Sequence, residues 1–323
     1  MKVFIAGAAG FLGRETVFAA LKRGWEVVAI LHESPMFFPN TVRKIERDLS
    51  CDTALDDLIL QEFPDAIVNC AAVTSIDAAE KNQDVAVRLN VNFPRRLAQL
   101  ANHISARLVH VSTEMVFDGD AAPYGHTAMP APKNFYAQTK LSGEVETLKY
   151  AHGNATIVRA TLLSGNSPSG TKSLHEKLFC QWAAGTPTAL FSDEIRQPVS
   201  VKNLAEVLVE LCERPNLSGV YHWACGDRLS RYEIGVRIAR RFGLDPEKWI
   251  RKISYADVPA ALAEKRPRDL SLSLEPLPGK LKARVQAFDE LLAEMDVPAN
   301  CARWYEAETG LKVRRKLIKG VDF

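Results

Sequence analysis

The first 165 residues alternate short apolar runs with amphipathic segments. An apolar run at Lys2–Ala6 is followed by an amphipathic helix predicted at residues 11–23, which ends at Gly24. The same order then repeats. Further strands are predicted at residues 26–31, 43–46, 66–70, 107–111 and 155–159, and helices at residues 54–62, 85–102 and 136–151. Strands that alternate with helices are typical of an α/β fold, a doubly wound parallel sheet of the Rossmann type.

The second half of the chain is less regular. Helices are predicted at residues 174–184, 202–212, 230–242 and 280–295, with strands at residues 189–191 and 219–223. We therefore expect residues 1–165 to form a dinucleotide-binding domain to which residues 195–223 return. Residues 166–194 and 224–280 are expected to form a smaller substrate lobe, and residues 281–323 a helical C-terminal extension of unknown role.

The composition indicates a globular protein without a nucleic-acid or membrane partner. Of 323 residues 47% are hydrophobic and 25% charged, and the net charge is only +2. The apolar runs are too short to span a bilayer. The N-terminus enters a predicted strand without a secretory pattern, so a cytoplasmic protein is expected. Its six cysteines lack metal-ligand spacing and are expected to be reduced, with no metal bound.

A glycine-rich loop follows the first predicted strand. Gly7, Gly10 and Gly13 occur in G-A-A-G-F-L-G, between that strand and a helix. In this context the first glycine permits a tight turn and the second lets a pyrophosphate approach the backbone. The third allows the helix to pack closely, with its N-terminus towards the anion. The sequence therefore predicts a dinucleotide site; the alternative is a tight turn alone.

The end of the second predicted strand bears on the choice of nicotinamide cofactor. A site that selects NAD usually has an acid there to bind the ribose 2′-hydroxyl. Here the strand ends at Leu31, and the next acid, Glu33, is displaced by two positions. Arg14, directly after the third glycine, is instead placed to meet a 2′-phosphate. We therefore favour NADP, with NAD as the alternative; a solvated surface role for Arg14 carries about equal weight.

Tyr136 and Lys140 are four residues apart in a predicted helix. This spacing puts a phenol and an ammonium on one helical face. A neighbouring cation favours the phenolate, so the pair predicts a tyrosine with a lowered pKa that acts as a proton donor. Thr113, at the end of the strand before this helix, supplies a hydroxyl for the substrate oxygen. The alternative is a chance spacing on a solvated face.

Four motifs together resemble the extended short-chain dehydrogenase/reductases, most closely their dTDP-4-dehydrorhamnose reductase group. They are G-A-A-G-F-L-G, N-C-A-A-V-T, V-S-T-E-M-V-F-D-G and Y-A-Q-T-K, and the resemblance covers about residues 1–275. Later motifs, Y-H-W-A-C-G and R-P-R-D-L-S-L, are similar to the same group. The last 45 or so residues match no pattern of that group.

The resemblance implies reduction of a nucleotide-linked 4-keto sugar, as in dTDP-rhamnose biosynthesis. By this resemblance Tyr136 donates the proton, Lys140 lowers its pKa and holds the nicotinamide ribose, and Thr113 binds the carbonyl oxygen. The remaining cofactor-binding residues implied are Gly7, Gly10, Phe11, Leu12, Gly13, Arg14, Asp48, Leu49, Ala71, Ala72 and Asn90. The candidates for substrate binding are Thr74, Glu114, Arg196 and Arg266, the two arginines as partners of the diphosphate.

Some positions depart from the group, and they keep three hypotheses open. Glu114 and Met115 replace Asp and Tyr, and Leu162 lies where an aromatic residue usually packs on the sugar. The first hypothesis is a reductase of a nucleotide sugar. The second is a non-catalytic, NADP-binding regulatory subunit of the same fold. The third is an epimerase or dehydratase; a dehydratase would carry an acid pair after Thr113, which Met115 interrupts. The sequence leaves the exact sugar and a homodimer undecided.

Overall fold

A seven-stranded parallel sheet forms the centre of the protein. The computed structural model describes residues 1–32, 37–47, 52–260 and 266–313. Its strands, in chain order, are β1 (Lys2–Ala6), β2 (Glu26–Leu31), β3 (Val42–Glu46), β4 (Ala66–Asn69), β5 (Arg107–Thr113), β6 (Ala155–Ala160), β7 (Leu163–Ser164), β8 (Thr188–Phe191), β9 (Ile195–Arg196), β10 (Val199–Ser200), β11 (Gly219–Trp223), β12 (Leu229–Ser230) and β13 (Ile250–Ile253). Within the described residues the central sheet has the order β11-β6-β5-β4-β1-β2-β3. The predicted doubly wound parallel sheet is confirmed.

Helices cover both faces of this sheet. In chain order the helices of the described residues, including those of the second lobe, are α1 (Phe11–Lys22), α2 (Asp52–Glu62), α3 (Ile76–Lys81), α4 (Gln83–Val87), α5 (Phe93–His103), α6 (Phe135–Tyr150), α7 (Leu174–Ala183), α8 (Val201–Cys212), α9 (Arg231–Arg241), α10 (Pro246–Trp249), α11 (Phe288–Glu294) and α12 (Ala302–Thr309). Alternate residues of β1 face opposite sides. Val3 and Ile5 pack in the core beneath α1 and α8, whereas Phe4 packs in the core beneath α2 and α5. Such two-sided burial explains the continuous apolar runs of the parallel strands.

A π-helical turn interrupts the helix that the sequence predicts at residues 85–102. The turn covers Arg88–Asn92 and separates α4 from α5. Pro94, in the first turn of α5, has no N–H, so it cannot bond the Asn90 carbonyl as an α-helix requires. That carbonyl lies so close to Gly143 of α6 that a Cβ there would collide with it. The wider turn and the missing side chain let α6 pack tightly against this segment.

A second lobe forms around aromatic side chains. Small two-stranded sheets pair β8 with β13 and β9 with β12. Between them and the C-terminal helices lies a cluster of aromatic residues, with successive ring centroids 4.9 to 6.5 Å apart: Phe179, Trp182, Phe242, Trp249, Trp304 and Tyr305. Ser230 caps α9 as predicted and forms a capping box with Glu233. The lobe thus has a core of its own beside that of the sheet.

The helix predicted at residues 280–295 is wrong over its first half. The α-helix covers only Phe288–Glu294, and residues 281–287 form neither helix nor strand. Leu281, Ala283 and Val285 alternate along this segment and pack on the core of the central sheet, as does the fully buried Leu277. We call residues 277–287 the C-terminal strap.

Glu210 of α8 fixes the C-terminal strap. Its carboxylate accepts hydrogen bonds from the backbone N–H groups of Lys282 at 2.8 Å and Ala283 at 3.1 Å. After the strap, Phe288, Leu291 and Leu292 join the core of the second lobe. The described part of the predicted extension therefore joins both cores, while its residues 314–323 lie outside the described residues. No helix in the described ranges is long and apolar enough to cross a membrane.

Candidate active site

The glycine loop and the loop after β4 lie in direct contact at the carboxyl ends of their strands. Gly7 adopts a positive φ of 73°, and a Cβ on it would lie 2.8 Å from the Ala71 nitrogen. A Cβ on Gly13 would collide with the Gly7 carbonyl oxygen. Only glycine fits at these two positions. The structure therefore brings together Gly7, Gly13 and Ala71 at the edge of the sheet where ligands bind in open α/β folds.

The N-terminus of α1 is suited to an anion. Its N-cap is Gly10, no side chain caps the helix, and its first turn contains no acid. The backbone N–H groups of Phe11 and Leu12 at this end are oriented for a pyrophosphate, as the helix dipole favours. The Leu12 side chain packs into the core and the Phe11 ring packs against it, so these residues contribute through their backbone.

Arg14 is engaged by its neighbours within α1. Its guanidinium pairs with Glu15 at 2.6 Å and lies over the Phe18 ring at 5.0 Å. A 2′-phosphate would therefore compete with the Glu15 carboxylate for this charge. Three other residues of the cofactor argument, Glu33, Asp48 and Leu49, lie outside the described residues.

Asn90 holds the loop after β4. Its Nδ2 donates to the Val73 carbonyl at 3.1 Å and to Thr139 Oγ1 at 3.0 Å, and its Oδ1 accepts from the Val73 N–H at 2.9 Å. Both amide hydrogens are thus committed inside the protein, and the side chain is fully buried. This geometry makes Asn90 a support for the loop that carries the half-buried Ala72 and the exposed Thr74.

Tyr136 and Lys140 occupy the buried face of α6 beside the end of β5. Asn134 caps this helix by accepting the Ala137 N–H at 2.9 Å, which places Tyr136 in its first turn. Lys140 follows one turn later and donates from Nζ to the Val111 carbonyl at 2.8 Å. The exposed fractions are 8% for Tyr136 and 3% for Lys140. The predicted helical face is therefore a buried one, and the alternative of a solvated face is wrong.

Burial dominates the pKa values of this pair. It lowers the pKa of Lys140 to about 8, against the opposing effect of the Glu144 carboxylate. Burial also raises the pKa of Tyr136, as does the nearby Glu114, while a hydrogen bond with Thr113 lowers it. The sequence predicts a lowered tyrosine pKa, and this prediction is wrong because desolvation and the Glu114 carboxylate outweigh the hydrogen bond with Thr113. Tyr136 therefore holds its proton more firmly than a free tyrosine does.

Thr113 bridges the tyrosine and a buried carboxyl group. Its Oγ1 donates to Glu114 Oε2 at 2.9 Å and accepts the Met115 N–H at 3.2 Å. Burial raises the pKa of Glu114, and the Arg196 guanidinium opposes that shift. Tyr136, Thr113 and Glu114 therefore form one cluster at the end of β5, as the sequence predicts for the first two.

A buried ion pair that the sequence interpretation missed supports this cluster. Arg159 of β6 donates from Nη2 to Glu144 Oε2 at 2.7 Å, and Ser112 donates to the same carboxylate at 2.5 Å. The guanidinium also lies over the Phe117 ring at 5.0 Å. Glu144 follows Lys140 by one helical turn, and Ser112 and Arg159 are register partners in the sheet. That i,i+4 spacing was the available signal.

Three arginines of the second lobe surround Glu194. Its carboxylate, only 1% exposed, lies 3.0 Å from Arg196, 3.1 Å from Arg231 and 2.8 Å from Arg266. Arg196 also donates to the carbonyls of Ile195, Pro267 and Arg268. The predicted cations Arg196 and Arg266 therefore share one carboxylate, with most Arg196 donors committed to the protein.

Arg231 was missed in the sequence, although the S-R-Y-E capping box places it at the start of α9. Its Nη1 is buried and has no hydrogen-bond partner among the described residues. Arg231 Nη1 is therefore an unused hydrogen-bond donor of this cluster.

The sequence model of the RmlD substrate binding domain matches residues 1–298. The chain belongs to this family. A dTDP-4-dehydrorhamnose reductase of Mycobacterium tuberculosis is 31% identical to this RmlD-family chain over 265 residues, 80% of the chain and 81% of the relative. The methionine adenosyltransferase 2 subunit beta of Pongo abelii is 31% identical over 282 residues, 85% of the chain and 81% of the relative. The predicted resemblance to the reductase group is confirmed.

Solved structures agree with this family assignment. A hypothetical dTDP-4-dehydrorhamnose reductase of Sulfolobus tokodaii superposes with a TM-score of 0.78 at 28% identity, covering 91% of this chain and 99% of that one. The dTDP-4-dehydrorhamnose reductase of Bacillus anthracis, solved in complex with NADP, has a TM-score of 0.74 at 23% identity, covering 90% and 97%. Proteins similar to this chain thus include reductases and one named as a subunit of another enzyme.

Replacing Gly13 with alanine is expected to weaken NADPH binding at least tenfold. The added methyl group would collide with the Gly7 carbonyl, so the glycine loop or α1 must move away from the anion site. Fluorescence titration with NADPH measures the effect. Gly125→Ala is the control, because nothing lies within 4 Å of a Cβ there. Equal affinity of the two variants would contradict a nucleotide site at this loop.

Proposed function

We propose that the protein is an NAD(P)H-dependent reductase of a nucleotide-activated 4-keto sugar. The convergence of Tyr136, Lys140 and Thr113 at the end of β5 carries this proposal, because the glycine loop of β1 opens at the same edge of the sheet. The reductase relative of Mycobacterium tuberculosis supports the substrate class. The reaction is addition of a hydride to the carbonyl carbon with protonation of its oxygen.

The proposed cofactor is NADP, with NAD as the alternative. The N-terminus of α1 would hold the pyrophosphate, Ala71 and Ala72 would line the site, and Lys140 would hold the nicotinamide ribose. NADP is favoured because the second strand ends at Leu31 and not at an acidic residue, and because Arg14 directly follows the third glycine of the loop. When bound, the reduced nicotinamide supplies the hydride.

The residues of the chain prepare the carbonyl group. Thr113 orients its oxygen, and Tyr136 gives that oxygen a proton. Lys140 is fixed by the Val111 carbonyl and places its positive charge in the same buried site, where it favours the phenolate left after transfer. Burial of all three side chains keeps water away from the reacting atoms.

The arginines around Glu194 are proposed to bind the anionic part of the substrate. Three guanidinium groups share one carboxylate, so positive charge is in excess in this part of the cleft. The electrostatic effect of Arg196 and Arg231 on Glu114 shows that the cluster lies near the end of β5. A sugar diphosphate is therefore placed with its carbonyl towards Thr113 and its charge towards Arg231 and Arg266.

Consumption of NADPH on a panel of nucleotide-linked 4-keto sugars tests the proposal. We expect steady turnover with at least one of them, and product analysis should show a new hydroxyl at the former carbonyl carbon. The panel should vary the nucleotide and the sugar independently, because Leu162 and Met115 differ from the reductase pattern. Tight NADPH binding without turnover of any panel member would reject the reductase.

A second candidate is a non-catalytic, NADP-binding regulatory subunit. The relatives named methionine adenosyltransferase 2 subunit beta favour it, since they are as similar to this chain as the reductase is. Light scattering of the NADPH-bound protein mixed with a methionine adenosyltransferase would detect such a complex. The epimerase alternative makes a different prediction: solvent deuterium enters the sugar without net NADPH consumption.

A further inference from the structure

The Thr113 hydroxyl has one hydrogen, and Glu114 accepts it. The distance from Thr113 Oγ1 to Glu114 Oε2 is 2.9 Å, and the same oxygen accepts the Met115 N–H. A hydroxyl held in this way has no hydrogen left for a substrate carbonyl. The proposed reduction requires Thr113 to donate to that carbonyl. Some group must therefore release the hydroxyl hydrogen when substrate binds.

We propose that Glu114 is a positioning residue whose protonation frees the Thr113 hydroxyl for the substrate. A neutral Glu114 donates its own hydrogen to Thr113 Oγ1, and Thr113 then turns its hydrogen towards the carbonyl oxygen. When Glu114 is ionised, it again accepts the hydrogen bond of the Thr113 hydroxyl. Glu114 takes up its proton from solvent when it becomes neutral. No covalent bond changes when the hydrogen bonds then switch, and the carboxyl proton stays on Glu114. The inference rests on the proposed function, since it concerns the residue that orients the carbonyl.

The surroundings of Glu114 set this equilibrium. Arg196 and Arg231 of the second lobe favour the ionised carboxylate, whereas burial favours the neutral acid and prevails. Tyr136 of α6 also faces the group, because the Glu114 charge raises the tyrosine pKa. Arg196 and Arg231 from the second lobe and Tyr136 from α6 are thus the charged and titratable groups whose electrostatic coupling to Glu114 is resolved among the described residues.

Substrate binding is expected to shift the equilibrium further. An anion that pairs with Arg231, whose Nη1 is buried and without a partner among the described residues, compensates the positive charge that stabilises the carboxylate. The Glu114 pKa then rises, and Thr113 is released when the anionic end of the substrate is in place. Recognition of the anion and orientation of the carbonyl are thereby coupled.

The pH profile of kcat/KM with a substrate of the panel tests the inference. As pH rises, the unaltered protein should lose activity first as Glu114 ionises and again near the Lys140 pKa of about 8. Glu114→Gln should lack the first step, because its amide keeps a hydrogen for Thr113 at every pH. Between the two steps the ratio of its kcat/KM to that of the unaltered protein should grow about tenfold for each pH unit. An unchanged profile in Glu114→Gln overturns the inference.

Thr113→Val, made in both backgrounds, separates positioning from direct action. Glu114 is inferred to act through the hydroxyl, so the difference between Glu and Gln at position 114 should vanish when that hydroxyl is absent. A Glu114-dependent step that persists in Thr113→Val means that the carboxyl acts on the substrate itself, and it overturns the inference. Residual turnover is low in these variants, so product is measured by mass spectrometry.

Infrared difference spectra decide the protonation without turnover. In a pH titration, the spectrum of the NADPH-bound protein minus that of Glu114→Gln should show the band of a protonated carboxylic acid to higher pH than for a free glutamic acid, and this band should grow when phosphate or a nucleoside diphosphate is added. A carboxylate band alone throughout the titration, with or without the anion, overturns the inference. Failure of every panel substrate would reject the proposed function alone, since the infrared result stands independently.

Discussion

Replacing Tyr136 with phenylalanine is expected to lower turnover by about 10²- to 10⁴-fold, the usual contribution of a positioned general acid. The phenol is buried beside Thr113, and its raised pKa keeps it protonated at neutral pH, so its removal leaves the alkoxide without a donor. The phenylalanine ring fills the same space. NADPH affinity should therefore change less than twofold.

Steady-state rates and NADPH titrations on the same preparation measure both quantities. Tyr150→Phe is a matched control, because it removes a phenol from the last residue of the same helix, about four turns away. Wild-type activity in Tyr136→Phe would show that another group protonates the substrate. Equal losses in both variants would show an effect on α6 rather than on proton transfer.

Replacing Glu144 with leucine is expected to lower the free energy of unfolding by about 3 to 5 kcal/mol. The Arg159 guanidinium is buried against the Phe117 ring, and Glu144 supplies the only negative charge in contact with it among the described residues. Without that carboxylate a cation remains buried and uncompensated, and Ser112 loses its acceptor. Urea unfolding followed by circular dichroism measures the loss.

The double variant Glu144→Leu with Arg159→Met separates the charge from the packing. Because both partners become apolar, most of the lost stability should return. If Glu144→Leu alone lowers the free energy of unfolding by less than about 1 kcal/mol, Glu144 and Arg159 are not a tightly coupled pair. If the double variant is as unstable as the single one, cavity formation rather than the orphaned charge explains the loss.

Strands β1, β2 and β4 were predictable because each is buried on both faces and contains an uninterrupted apolar run, as at residues 66–68. The C-terminal strap has no such apolar run. In the strap the apolar residues Leu281, Ala283 and Val285 alternate with polar ones and pack at an edge of the core. A stretch of sequence that continues into α11 also contains the spacing of a helix, so the strap was predicted as part of that helix.

The candidate site divides in the same way. Tyr136 and Lys140 were predictable because both lie on one helix, where spacing alone determines which side chains meet. The contacts of Glu194 were not, since Arg231 and Arg266 reach it from separate segments and only the folded lobe brings them together. The tyrosine pKa was mispredicted for a related reason: spacing indicates the neighbouring charge, whereas only burial reveals the loss of water.

The C-terminal strap has a consequence for the order of assembly during synthesis. The nucleotide-binding half is translated first, yet Leu277, Leu281 and Val285 complete its hydrophobic core. The N-terminal half therefore leaves the ribosome with part of its apolar surface uncovered, next to α8. After β11 has been made, this surface stays uncovered until about sixty further residues, and with them most of the second lobe, have been synthesised. A nascent chain of this protein thus depends on its last segments to finish its first domain.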